Sequence, residues 1–259
     1  MPLMELEEVR IYYELAGPEQ APVLMLSNSL GTSLEMWQPQ MAEVAKDFRI
    51  LRYDTRGHGR SSVSPGPYSI DQLANDVLAL LDRLGYSKVL FCGLSMGGMI
   101  AMSLAMKAPQ RLSKIVLCNT APQIGSAEVW NARIEAVAQG GMTTIVDGVL
   151  ERWFTPTFRA NSPAAVESTR NMLLNTPATG YVATCAAIRD YNVSDSIATI
   201  RVPALIISGS YDPVTSPQAG HFMAENIHGA VYKELPAAHL SNIEAAAAFT
   251  SELSIFLKA

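Results

Sequence analysis

Charged residues are scarce in this sequence: they make up 17% of its 259 positions, and the formal net charge is −5. So small a charge of this sign provides no field that would attract nucleic acid or an anionic membrane. No apolar stretch approaches the roughly 20 residues that a membrane-spanning helix needs, and the first residues lack the basic and apolar regions of an export signal. We therefore expect a cytoplasmic globular protein, with neither nucleic acid nor membrane as a partner.

Cysteine is scarce as well, with only Cys92, Cys118 and Cys185 in the chain. Their number is odd and their spacing matches no metal-binding pattern, so we expect neither a disulfide framework nor a metal site. Cys92 and Cys118 fall in apolar, strand-like segments, where buried and reduced thiols are expected.

Apolar residues are abundant, at 49% of the chain, and they follow strand and helix patterns in alternation. Seven short runs bounded by turn residues are typical of strands. They are residues 9–15, 23–27, 49–53, 88–92, 114–118, 204–208 and 231–235. Helical patterns include residues 33–45 and a segment that opens with a capping box at Ser69 and ends at Gly85. The alternation predicts an α/β fold with a mostly parallel central sheet and helices on both faces.

The alternation stops between residues 121 and 195, where helical patterns follow one another without a strand. An all-helical insertion between parallel strands is placed most economically over their carboxyl ends, where open α/β sheets bind ligands. We therefore predict a core domain of residues 1–120 and 196–259 and a helical cap of residues 121–195. The alternative is an extra helical layer remote from the site.

The segment Gly93-Leu94-Ser95-Met96-Gly97 lies between a strand-like run and a run with helical spacing. This context is typical of the nucleophile elbow of the α/β-hydrolase fold. The serine of such a turn has a strained backbone with its hydroxyl projecting, and the flanking glycines avoid clashes with the adjoining strand and helix. Ser95 is the predicted nucleophile.

A serine nucleophile needs a positioned base, and the base needs an orienting acid. In this fold the chain order is serine, acid, histidine. Asp212 follows the predicted strand 204–208, and His239 follows the predicted strand 231–235. Both side chains are therefore expected at one edge of the sheet, and Ser95, Asp212 and His239 are the predicted catalytic residues.

Other histidines suit these roles less well. His58, in the segment Asp54-Thr55-Arg56-Gly57-His58-Gly59, precedes the serine and so has the wrong chain order for the base. A structural role against neighbouring active-site loops is expected for it. His221 and His228 lie in or just after a predicted helix, where a surface or core position is more common.

Acyl transfer also needs donors aimed at the developing oxyanion. The backbone N–H of Met96 begins the helix after Ser95, where the helix dipole adds partial positive charge. The second donor is expected from the loop Asn28-Ser29-Leu30-Gly31 and is assigned to the backbone N–H of Leu30.

Several segments together carry a family resemblance. They are Ser27-Asn28-Ser29-Leu30-Gly31-Thr32, Leu51-Arg52-Tyr53-Asp54-Thr55-Arg56-Gly57-His58-Gly59, Gly93-Leu94-Ser95-Met96-Gly97-Gly98, Leu117-Cys118-Asn119-Thr120-Ala121, Glu128-Val129-Trp130 and Arg152-Trp153-Phe154-Thr155. The chain resembles the bacterial 3-oxoadipate enol-lactonases, α/β-hydrolases also called β-ketoadipate enol-lactone hydrolases. The first loop and the tryptophan-bearing cap segments are the specific part, although many relatives have His-Gly in place of Asn28-Ser29. The resemblance implies a cofactor-free enzyme of aromatic catabolism that opens an enol-lactone to 3-oxoadipate.

The implied substrate carries a carboxylate, for which bidentate arginine is the best geometric partner. Arg133 is the candidate, because it lies one helical turn from Trp130 and shares its face. The alternative for Arg133 is a solvated surface charge. Trp130 and Trp153 either line the substrate pocket or pack the cap helices.

Three other hydrolases on the same scaffold remain open from the sequence: a broad carboxylesterase, a perhydrolase and a C–C bond hydrolase. A haloalkane dehalogenase does not fit, because it needs a carboxylate nucleophile where this chain has Ser95. The alternative from another class is a non-catalytic ligand receptor on the hydrolase fold. Such a receptor normally has lost or altered a member of the triad, whereas all three residues are present in order here.

Overall fold

The computed structural model describes residues 3–259. Within that range the central sheet has eight strands in the order β1-β2-β4-β3-β5-β6-β7-β8. The strands are β1 Leu3–Glu5, β2 Arg10–Ala16, β3 Val23–Ser27, β4 Arg49–Tyr53, β5 Val89–Leu94, β6 Leu112–Cys118, β7 Ala204–Gly209 and β8 Val231–Leu235. Strands β4, β3, β5, β6, β7 and β8 run parallel to one another, and β1 and β2 pair antiparallel at one edge. The predicted α/β-hydrolase architecture is confirmed.

Every predicted strand is present within two residues of its predicted bounds. The strand β1 was not predicted. It has three residues, pairs only with β2, and is too short to show an alternating pattern.

Helices connect the strands and form the insertion. They are α1 Gln38–Val44, α2 Ile70–Arg83, α3 Met96–Lys107, α4 Ala127–Gly140, α5 Val146–Trp153, α6 Pro156–Asn161, α7 Pro163–Asn175, α8 Ala178–Arg189, α9 Pro217–Asn226, α10 Ser241–Glu244 and α11 Ala246–Lys258. The helix α1 packs on α11, and α2 packs on α3, which lies along β3, β5 and β6. Both groups of helices shield the sheet, whose strands β3, β5 and β7 are buried almost throughout. Among residues 3–259 no helix is long and apolar enough to cross a membrane.

Local signals explain two of the helix starts. Ser69 accepts a hydrogen bond from the backbone N–H of Gln72 over 3.1 Å and so caps α2, and the φ of +75° at Gly85 turns the chain away after its end. The predicted helix 33–45 begins with a 3-10 turn, Leu34–Trp37, before α1. Pro39 in the first turn of α1 suits a helix start, because the backbone N–H groups of the first turn have no acceptor within the helix.

Between β6 and β7 the described chain is helical, with α4 to α8 in succession. The segments that lead into and out of this insertion meet where the Val193 N–H donates to the Pro122 carbonyl over 3.1 Å. The helices α4 and α8 pack on each other. The insertion also contacts the core loops, since the Tyr68 N–H donates to the carbonyl of Ala183 in α8 over 3.1 Å. The domain boundaries at residues 121 and 195 stay a prediction.

Candidate active site

Ser95 lies in the sharp turn between β5 and α3, with φ 57° and ψ −114°. A positive φ is strained for a residue with a side chain. The Ser95 N–H donates to the Cys118 carbonyl over 2.9 Å, and the Ser95 carbonyl accepts from the Thr120 hydroxyl over 2.7 Å. These contacts from the end of β6 hold the strained turn in place.

The glycines on both sides of Ser95 are required by close backbone packing. A Cβ at Gly93 would collide with the carbonyl of Gly97, and a Cβ at Gly97 would collide with the carbonyl of Ser27. A third glycine, Gly98, leaves no room for a Cβ beside Thr120. The sequence predicts that side chains at the flanking glycines would clash with the adjoining strand and helix. The structure shows these clashes with backbone atoms at Gly93 and Gly97.

Asp212 and His239 meet at the carboxyl ends of β7 and β8, as their positions after these strands predict. The Asp212 carboxylate lies 2.8 Å from Nδ1 of His239, and both side chains are buried. The backbone N–H groups of Val214 and Thr215 donate to the other carboxylate oxygen over 2.8 and 3.1 Å. This arrangement fixes the imidazole ring and leaves Nε2 as its free nitrogen.

Asn119 is a residue of this network that sequence reasoning missed. It follows β6 with φ 43°, and its side-chain amide donates to the Asp212 carboxylate over 3.0 Å and to the Ala238 carbonyl over 3.2 Å. Its own amide oxygen accepts from the Ser241 hydroxyl over 2.5 Å. The signal in the sequence is its position directly after a parallel strand, next to the strand that precedes Asp212.

Burial raises the pKa of Asp212, but the charge and hydrogen bond of His239 and the bonds from Thr215 and Asn119 outweigh it. The pKa of Asp212 is consequently lowered from 3.8 to about 2. Asp212 is therefore ionised at neutral pH, which suits a group that stabilises an imidazolium.

The loop after β3 carries the predicted oxyanion donor Leu30. Its first residue, Asn28, is fully buried and donates to the Tyr53 carbonyl over 2.8 Å, while its side-chain oxygen accepts from the Trp37 indole over 2.9 Å. The Asn28 carbonyl accepts from the Gly97 N–H over 3.1 Å, which ties the loop to the start of α3. Within residues 3–259 the backbone N–H groups of Leu30 and Met96 have no hydrogen-bond acceptor.

Six of the eight predicted site residues line a small cavity of about 30 Å³, and Asp212 and Met96 are not among its lining residues. Ser95, His239 and Leu30 line it from the core. Trp130, Arg133, Arg152, Trp153 and Tyr181 line it from the insertion. In the described chain the Ser95 hydroxyl forms no hydrogen bond with the His239 ring. Such catalytic hydrogen bonds often form only when the substrate is bound. The insertion forms one wall of this cavity, so its position decides how a substrate can lie beside Ser95.

The arginines of the insertion fall into two groups. Arg159, Arg170 and Arg189 form ion pairs with Glu151, Asp147 and Asp190. Arg133 and Arg152 line the cavity, and across residues 3–259 neither pairs with a carboxylate. Arg152 was not singled out from the sequence, because nothing local distinguishes it from the paired arginines.

The surroundings of the two cavity arginines indicate an anion site. Burial lowers the pKa of Arg152, and the like charge of Arg133 lowers it further. The Arg133 guanidinium stacks on the Trp130 ring, 5.0 Å from its centroid. The Trp130 indole N–H donates to the Ile124 carbonyl over 2.6 Å, which holds the ring in this position. Two adjacent cations that form no ion pair with a carboxylate among residues 3–259 favour an anionic ligand.

The remaining sequence candidates lie outside this site. His58 is fully buried and contacts the Arg56 carbonyl through Nδ1 at 3.1 Å. His221 and His228 are exposed, and the His221 ring lies 4.1 Å from the ring of Tyr232 in β8. The thiols of Cys92 and Cys118 are buried, with their sulfurs 3.7 Å apart. Among residues 3–259 no cluster of three metal-binding side chains occurs.

Comparison with known proteins agrees with this geometry. The sequence model of the alpha/beta hydrolase fold family matches residues 22–246. The chain is 41% identical to 3-oxoadipate enol-lactonase 2 of Acinetobacter baylyi over 252 residues, which cover 97% of this chain and 94% of the relative. The crystal structure of the enol-lactonase from Burkholderia xenovorans LB400 superposes with a TM-score of 0.98 at 43% identity, covering both chains completely. A hydrolase from Pseudomonas aeruginosa PA01 superposes with a TM-score of 0.97 at 42% identity, covering 100% of this chain and 98% of the other.

The family model spans most of the chain, and the relatives match it along nearly its whole length. The resemblance inferred from the sequence motifs is thereby confirmed. The chain belongs to the α/β-hydrolase family, in the group that includes the 3-oxoadipate enol-lactonases, and is a hydrolase that acts on ester bonds.

Proposed function

We propose that this enzyme opens the ring of 3-oxoadipate enol-lactone to give 3-oxoadipate, in the catabolism of aromatic compounds by the β-ketoadipate pathway. The cavity is the observation that carries this proposal. It contains a serine on a strained turn, a histidine bonded to a buried carboxylate, and two arginines that form no ion pair within the described residues. The names of the relatives support the same substrate. The predicted cytoplasmic location belongs to this proposal.

In the proposed first step, Oγ of Ser95 attacks the lactone carbonyl while Nε2 of His239 takes the hydroxyl proton. Asp212 holds the imidazole tautomer and stabilises the imidazolium. The backbone N–H groups of Leu30 and Met96 stabilise the oxyanion, which is commonly worth about 2.7–4 kcal/mol for each donor.

Collapse of the tetrahedral intermediate breaks the bond between the acyl carbon and the enol oxygen, and His239 returns its proton to that oxygen. The released enol ketonises while it remains attached to the acyl chain. Water activated by His239 then attacks the acyl carbon, and Ser95 regains its proton as the new carboxylate forms. No cofactor takes part in either step.

The carboxylate of the acetate side chain is assigned to Arg133 and Arg152. Arg133 is the primary partner, because the Trp130 ring fixes its planar guanidinium in a position suited to bidentate binding. Arg152 supplies a second positive charge from α5. Trp153, also at the cavity, forms part of the apolar wall around the lactone ring.

The test is steady-state hydrolysis of 3-oxoadipate enol-lactone beside p-nitrophenyl acetate, with Ser95→Ala and the exposed Ser251→Ala as matched serine variants. We expect a kcat/KM on the lactone of about 10⁵ M⁻¹s⁻¹ or more, far above that on the acetate. This activity should disappear in Ser95→Ala and persist in Ser251→Ala. Similar slow rates on both substrates would favour a broad carboxylesterase, a perhydrolase or a C–C bond hydrolase. Absence of covalent labelling of Ser95 by a fluorophosphonate would favour a ligand receptor.

A further inference from the structure

Glu244, at the end of α10, joins the insertion to the loop of His239. One carboxylate oxygen accepts from the Thr155 hydroxyl and, over 3.2 Å, from the Thr155 N–H. The other accepts from the Ala238 N–H over 2.9 Å. Thr155 belongs to the insertion, where its hydroxyl also caps α6 by accepting from the Phe158 N–H. A single carboxylate therefore bridges the two parts of the chain that face each other across the cavity.

A second bond lies beside this bridge. The Leu240 N–H donates to the carbonyl of Trp153 over 3.1 Å. Both chain neighbours of His239 thus have their N–H groups bonded in the same contact, Ala238 to Glu244 and Leu240 to Trp153. We call the segments 153–155 and 238–240, together with Glu244, the clasp. The clasp fixes the histidine loop against the end of α5.

The position of Glu244 separates it from the reacting groups. Its side chain borders an outer groove of about 620 Å³ that neither Ser95 nor His239 lines. Trp153, on the opposite side of the clasp, lines the cavity with His239. Glu244 therefore acts on the site through the residues that it holds.

We propose that Glu244 is a positioning residue that sets the distance between the His239 ring and the substrate-binding wall of the insertion. The inference rests on the proposed function, in which His239 is the base and the insertion binds the substrate carboxylate. The coupling matters because the insertion and the loop of His239 both line one small cavity, so their relative position decides where a bound substrate lies. The clasp supplies that position.

The test compares Glu244→Gln, Glu244→Ala, Thr155→Val and the double variant Glu244→Ala/Thr155→Val, with the exposed Glu225→Gln as the matched control. Glutamine has the size of glutamate but replaces one acceptor oxygen by a donor, so it cannot accept from both Thr155 and Ala238. The first measurement is the rate at which a fluorophosphonate labels Ser95, which depends on His239 and needs no lactone. The second is the separate kcat and KM for the lactone. Both are measured well below the unfolding midpoint of each variant.

We expect Glu244→Gln to slow labelling and to lower kcat about tenfold, within the hundredfold that a 1 Å misplacement causes, while KM for the lactone rises. Thr155→Val is expected to raise KM in the wild-type background and to have no further effect on Glu244→Ala, because the two residues act through one contact. Glu225→Gln should match the wild type.

Two results would overturn the inference. One is a Glu244→Gln variant that has a lower unfolding midpoint but the labelling rate and KM of the wild type, which would make Glu244 purely structural. The other is additivity of the Thr155 and Glu244 effects. If Glu244→Ala does not fold, Glu244→Gln and Thr155→Val still provide the test. A wild-type enzyme that is labelled but does not turn over the lactone would reject the proposed substrate and leave the labelling comparison valid.

Discussion

The side-chain amide N–H of Asn119 donates a hydrogen bond to the carboxylate of Asp212 over 3.0 Å. This bond joins the end of β6 to the end of β7. The amide is itself oriented by Ser241, which donates to its oxygen. The acid that holds His239 is therefore held in turn by the neighbouring strand. Hydrogen bonds to charged groups are worth about 1.5–3 kcal/mol, so this contact is a substantial part of the site's rigidity.

Asn119→Leu is expected to lower kcat for the lactone about tenfold, which corresponds to about 1.4 kcal/mol in the activation barrier. The loss is partial, because Thr215 and the backbone N–H groups still bind the carboxylate. KM should change little, since Asn119 does not line the cavity. Steady-state kinetics check the prediction, with the exposed Asn226→Leu on α9 as control. An unchanged kcat in Asn119→Leu would show that Asp212 does not depend on this contact.

Asn28 provides a second prediction, on the loop that carries Leu30. Asn28→Ala leaves the buried Trp37 indole N–H and Tyr53 carbonyl without their partners, each at about 1–3 kcal/mol of stability. The loop that carries Leu30 is also loosened, so kcat should fall by about tenfold or more, at most by the factor that removal of an oxyanion donor causes. KM should change little.

The matched variant for this loop is Ser27→Ala, which removes the contact of the Ser27 hydroxyl with the Tyr53 hydroxyl at 2.8 Å. It should lower the unfolding midpoint and leave kcat near the wild-type value. Equal losses of kcat in Ser27→Ala and Asn28→Ala would contradict a specific role of Asn28 in placing Leu30.

The parts of the fold that local patterns determine were predictable. The apolar run before Ser95 and the helical spacing after it predict the turn, and the positions of Asp212 and His239 after strands predict that they meet. The side-chain pairings that position these residues were not predictable, because each one joins distant parts of the chain. Asn119 and Asp212 are 93 residues apart, and Thr155 and Glu244 are 89 apart. The order of strands brings the ends of β6 and β7 together, but it does not show which side chains there form a hydrogen bond.

The arginines of the insertion show the same limit of prediction from local sequence patterns. Arg133 was predicted from its spacing to Trp130, a relation within one helix. Arg152 resembles Arg159 and Arg170 in sequence, and only the fold shows that it faces the cavity while they pair with carboxylates. A residue's ionic partner depends on tertiary packing, which composition does not report.

The two cavity arginines yield a third prediction. Arg133→Gln should raise KM for the anionic lactone about tenfold or more, because a charge-assisted bond to the carboxylate is lost. Arg152→Gln should raise it less, since its guanidinium is not stacked on Trp130. The kcat/KM for an uncharged lactone should stay within about threefold in both variants. Arg170→Gln, in the same insertion but paired with Asp147, is the control. Equal effects on charged and uncharged lactones would contradict the assignment of these arginines to the carboxylate.

His58 gives a fourth prediction, on stability. Burial lowers the pKa of His58 from 6.5 to about 4, although its contact with the Arg56 carbonyl acts in the opposite direction. Its Nε2 has no partner among the described residues, so a proton on the ring is poorly accommodated in the folded state. The unfolded chain binds that proton near pH 6.5 and the folded chain only near pH 4. Stability from this group is therefore complete above pH 6.5 and is lost as the pH falls toward 4, by about 3 kcal/mol in total.

His58→Asn removes the titration and keeps a side-chain amide that can donate to the Arg56 carbonyl. The free energy of unfolding, measured by denaturant titration at a series of pH values, should fall less between pH 6.5 and 4 in this variant than in the wild type. The exposed His228→Asn should retain the wild-type slope. If His58→Asn and the wild type lose stability in parallel over this range, the acid sensitivity arises elsewhere, and His58 is accommodated in its protonated form.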